Sequence, residues 1–144
     1  MTIALLFWIF ALGCCGYAAC FGGWEGRWFA LIYIIQSLLT VAAAMVDFRW
    51  SDTNWPTFAI DLALLIALLV LALRTTRFWP LWVLGLHYIT VSAHLASMMV
   101  QTVQVQIYFL VATLWSIPKL AIVVIGIQQD RRAGLAASPH ERGP

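Results

Sequence analysis

Two histidines, His87 and His94, stand in one apolar stretch together with Thr90, Ser97 and Gln101. At 100° per residue these five side chains fall within about 80° of one another, which draws a polar stripe along one face of a helix. Histidine changes charge near neutral pH, so such a stripe can pass a proton or hold a ligand. It can also serve simply to hydrogen-bond one helix to another. Either use requires the face to look into protein, because hydrocarbon offers these groups no partner.

Two charged residues in other apolar stretches could meet the stripe. With helices alternating in direction, Asp61 lies at about the depth of His94, and Lys119 near the depth of His87. Insertion scales charge about 2.5 to 3.5 kcal/mol for a lysine at the centre of a span, so Lys119 needs a partner, water or neutralisation. Its Cβ tilts away from the nearer membrane surface, which opposes snorkelling. Asp61 has a plainer reading as an interfacial residue that complements its helix dipole. Pro118 removes the amide that would bond the carbonyl of Leu114, and a kink is expected there. Gln36, Thr40 and Asp47 share a face that either completes a polar interior or packs.

Cofactor chemistry is not indicated. His87 and His94 lie about 10.5 Å apart along one helix and cannot grip opposite faces of one iron, and His140 is in the tail. Cys14, Cys15 and Cys20 form no CxxC pair and no zinc spacing, and read as small packing residues. No nucleophile–base–orienter set, metal signature or phosphate loop stands out, so no catalytic residue, metal or cofactor is expected.

The elements that position these residues follow from composition. The 144 residues are 63% hydrophobic and 10% charged, with mean hydropathy +0.91. Soluble domains carry roughly 25% charge, and one of this size buries only about 70% of its unfolded surface. The chain is therefore read as all-α, a polytopic transmembrane helical bundle solvated by lipid. Five spans of the required ~20 residues can be marked at about 2–22, 28–46, 56–73, 80–100 and 105–127, followed by a short polar tail over 128–144 that is expected to fray. A four-span reading would make one helix of about 70 Å from the last two runs, more than twice the bilayer core. The first run lacks the basic flank of a signal peptide. No internal repeat suggests an inverted-repeat transporter.

Orientation follows from arginine. Placing the N-terminus outside keeps Arg27, Arg74, Arg77, Arg131, Arg132 and Arg142 cytoplasmic and exports only Arg49. Tryptophans 24, 28, 50, 55, 79 and 82 flank the breaks as interfacial anchors. Ala59, Ala63 and Ala67 form a small-xxx-small ridge for helix packing, and Gly13, Gly16 and Ala19 a weaker one.

Asp61-Leu62-Ala63-Leu64-Leu65, then Arg74-Thr75-Thr76-Arg77-Phe78-Trp79-Pro80-Leu81-Trp82, then His87 and His94, resemble uncharacterised small multi-pass proteins of bacterial inner membranes. The likeness covers roughly the third and fourth spans and implies no activity. Arg-x-x-Arg-x-Trp-Pro also has a physical reading as two cytoplasmic anchors, an interfacial ring and a helix-opening proline.

Function is accordingly framed by exclusion. A net charge of +2 with dispersed basic residues implies no nucleic acid. Short loops leave no room for a soluble active site. The leading expectation is an accessory component of the bacterial inner membrane that packs against itself or a larger complex, with the bilayer as its constant partner. The alternatives are an oligomeric proton or small-ligand transporter using the fourth-span stripe and Lys119, and a membrane cofactor- or lipid-binding protein.

Overall fold

A computed structural model describes residues 2–46, 55–99 and 115–135. Within them lie five helices, α1 (Thr2–Phe21), α2 (Gly23–Val46), α3 (Trp55–Arg74), α4 (Trp79–Met99) and α5 (Ser116–Arg132). Asp47, Gln101, residues 105–114 of the expected fifth span and the tail from 136 lie outside the described residues, as does the side chain of Ser97. Pro118 is the third residue of the described α5, and the Leu114 carbonyl at which a kink is expected lies outside the described residues.

The helices pack in chain order, each on the next, and α5 closes the ring onto α1. Successive helices are antiparallel. The closing pair is parallel, because Arg131 at the end of α5 lies 4.4 Å over the ring of Phe21 at the end of α1.

The first break is much tighter than the expected Gly22–Arg27 loop: α2 starts at Gly23, and only Gly22 separates it from α1. Gly23 supplies the corner at φ 66°, a conformation that costs glycine little. The Gly22 amide donates to Ala18 O at 2.8 Å, and a Cβ on Gly22 would stand 2.6 Å from that same carbonyl. The packed face of α1 is therefore set by Ala18, fully buried, and runs through Cys15, Cys14 and Ala11. Gly13 and Gly16 face open space, so the expected glycine face is not the one used.

On α3 the buried face is Asp61, Leu64, Leu68 and Leu71. Turning Asp61 inward puts Ala59 and Ala63 on the exposed side and leaves Ala67 half-buried, so the alanine ridge lies on the outer side of α3. Trp79 is likewise no interfacial anchor. It is 3% exposed, meets Phe29 edge-on at 5.7 Å and presses on Gly126, where any Cβ would collide with it. Among the described residues, Trp28, Trp55 and Trp82 are the tryptophans that face outward.

The polar tail does not fray at residue 128. α5 continues to Arg132 and ends in a Schellman turn, with Gly134 at φ 73° and bonds Gly134 N to Arg131 O (3.1 Å) and Leu135 N to Asp130 O (2.8 Å). Leu5, Ile9, Leu38, Ile66, Leu81, Ile125 and many other large apolar side chains point outward around the ring. Among the described residues two stretches, Gly23–Ala43 and Trp55–Arg74, are long and apolar enough to cross a membrane, and Leu5–Phe21 is a shorter apolar helix.

Candidate functional site

At one level the interior carries polar and ionisable groups amid an otherwise apolar core. His87, His94, Thr90, Lys119 and Asp61 are all buried, the last at 6% exposure. α3 brings Asp61, α4 the two histidines and α5 the lysine to one level of the ring. The pairs suggested by helix depth are the pairs in contact: His94 Nε2 lies 2.7 Å from Asp61 Oδ2, and Lys119 Nζ lies 3.1 Å from His87 Nδ1. Asp61 is thus an interior residue, and its reading as an interfacial carboxylate fails because three helices close around it.

The hydrogen bonds fix where protons sit. His87 Nε2 is 2.9 Å from the backbone carbonyl of Asp61, which can only accept, so Nε2 carries a hydrogen and donates. His87 Nδ1 is then left to accept from the Lys119 ammonium. A second proton on that ring would set two donors against each other, so Nδ1 stays bare and accepts from Nζ. Gln36 completes the carboxylate's shell by donating Nε2 to Asp61 Oδ1 at 2.9 Å, and the same amide donates to Thr40 Oγ1 at 3.2 Å. The Gln36–Thr40 face therefore belongs to the polar interior. Thr90 bonds only back into its own helix, to Leu86 O at 3.4 Å. The resulting chain runs Gln36–Asp61–His94 in one direction and Asp61–His87–Lys119 in the other. With neutral histidines, one carboxylate and one ammonium cancel.

Toward the arginine-bearing end the interior is dry. Leu120, Val123, Ile127, Leu68, Val83 and Phe29 are each at most 1% exposed. Asp130 lies eleven positions beyond Lys119 on α5, about 16 Å at 1.5 Å per residue. Below this plug lies a second ionic cluster that the sequence reading missed. Arg77, treated there as a membrane anchor, is 7% exposed. Its Nε is 3.2 Å from Glu25 Oε1, one terminal nitrogen is 3.0 Å from Asp130 Oδ2, and the other donates to Leu135 O at 2.8 Å. Thr75 Oγ1 also donates to Glu25, at 3.1 Å. The guanidinium thus ties the start of α2 and the α3–α4 connection to the Schellman turn of α5. Charge signs offered a clue: an up-and-down ring puts Glu25, Arg77 and Asp130 at one end.

Among the described residues no three His, Cys, Asp or Glu side chains converge as metal ligands. No protein-family model, curated protein or solved structure matches the chain.

Removing Arg77 leaves the buried Glu25 carboxylate and the half-buried Asp130 without their cation, and breaking a buried pair costs about 3 to 5 kcal/mol. Arg77→Met is expected to lose stability on that scale in detergent unfolding, while Arg74→Met, at an exposed position, stays within about 0.5 kcal/mol. Equal losses in the two variants would contradict the knot.

Proposed function

We propose that the chain is a five-span protein of a bacterial inner membrane, its arginine-bearing end cytosolic, acting as an accessory component that responds to protons bound inside the bilayer. One observation carries this reading: four ionisable side chains, each at most 6% exposed, are joined by hydrogen bonds within a ring whose outer surface is apolar. Intramembrane ionisable groups are costly and mark proton or ligand routes. Arg27, Arg74, Arg77, Arg131 and Arg132 all fall at one end of the ring, in keeping with the positive-inside rule.

The dry plug favours proton binding over through-conduction. A proton taken up by the cluster changes its net charge, and with it the packing of α3 against α4. The exposed alanines of α3 favour the accessory role, since they leave a face for another molecule.

Two experiments test the two halves. In a Cys20→Ser background, Thr76→Cys is expected to react with an impermeant thiol reagent only after the inner membrane is opened; labelling in intact cells would reverse the topology. Infrared difference spectra between about pH 8 and pH 5, where histidine ordinarily changes charge, are expected to show imidazole bands lost in His94→Gln and carboxylate bands lost in Asp61→Asn. Spectra insensitive to both substitutions would remove the proton-binding role.

A further inference from the structure

The outward face of the polar cluster is Gln36. Between α2 and α3 runs an open apolar groove of about 420 Å³, lined by Ile32, Ile35, Ala59, Ala63, Ala67 and Gln36. That volume falls in the range of about 300 to 1,000 Å³ usual for small-molecule sites. The groove exists because α3 turns its alanines away from the core while Asp61 points in, so small side chains face the position where a larger one would fill the space.

Gln36 is the polar element of this wall. Both hydrogens of its amide are committed, to Asp61 and to Thr40, and its Oε1 makes no hydrogen bond among the described residues. An acceptor there calls for a donor. Gln36 lies thirteen residues into α2, about 20 Å from the arginine-bearing end, a depth at which a charged head group is costly. The fitting head group is therefore neutral and donates.

We infer that the groove binds a neutral amphiphile, a single apolar chain with one hydroxyl, whose hydroxyl donates to Gln36 Oε1 while its chain lies along Ala63 and Ala67. This rests on the membrane half of the proposed function and not on proton binding. The ligand touches the Asp61 carboxylate through one shared amide, so occupancy and the charge of the cluster are coupled. A second copy of the chain would be held by the alanines without using Gln36, and an ordinary acyl chain would fill the groove without a donor.

The probes are tritiated 1-hexadecanol and hexadecyl methyl ether, which have the same chain with and without the donor, measured on the intact protein in phosphatidylcholine nanodiscs against empty discs. Saturable retention of one alcohol per chain is expected, with the ether weaker by roughly tenfold, as for loss of one buried hydrogen bond. Ala63→Phe fills the groove and should reduce alcohol retention by a similar factor while the infrared bands of His94 persist; Ala67→Ile serves if Ala63→Phe does not fold. Equal retention of alcohol and ether overturns the proposal in favour of ordinary acyl chains. So does no retention above empty discs, or a native dimer that Ala63→Phe splits without altering retention. Loss of the infrared bands in the native protein would instead strike the proton-binding reading and leave this one standing.

Discussion

A lysine and an aspartate carried into an apolar bundle must either meet or be bridged, and here His87 bridges them. Its ring stands between Lys119 Nζ and the backbone of Asp61, while the Asp61 carboxylate turns to His94 and Gln36. That requirement fixes much else. It sets the rotation of α3, which exposes the alanines and opens the α2–α3 groove. It sets the register of α4 against α5, which in turn places Trp79 on Gly126 and closes the ring. Deleting any one partner leaves a buried polar group unmatched, which costs more than the net contribution of the bond itself.

The ring is held at its ends by different means. At the arginine-bearing end a buried guanidinium joins Glu25, Asp130 and the Leu135 carbonyl, and Gly26 of α2 lies so close to the Ala18 carbonyl of α1 that a Cβ there would collide with it. Between this knot and the polar cluster lie leucine, valine, isoleucine and aromatic side chains with almost no exposure. Two ionic layers are thus separated by apolar packing.

Much of this was legible in the sequence. Helical periodicity placed His87, Thr90 and His94 on one face, and counting residues from the helix ends paired them with Lys119 and Asp61. The all-α bundle followed from apolar runs broken by arginine and glycine. What misled were residues with two physical uses. Arg77 and Trp79 sit in a break, where anchors are common, yet neighbours decide whether such side chains face lipid or fold under the ring. Ala59, Ala63 and Ala67 have the spacing of a packing ridge, but spacing does not say whether a helix of the same chain lies opposite. Gly22 to Arg27 reads as a loop because glycine breaks helices, and here one positive φ at Gly23 suffices. Glu25 and Asp130 drew no notice because each pairs far along the chain.

The account stands on the bridge made by His87. Nitrogen-15 spectra of histidine-labelled protein in lipid bilayers report the protonation of each ring nitrogen. The expected result is a His87 ring protonated at Nε2, with a bare Nδ1 accepting a hydrogen bond that disappears in Lys119→Met. A ring protonated at Nδ1 alone, or one unaffected by that substitution, would contradict it.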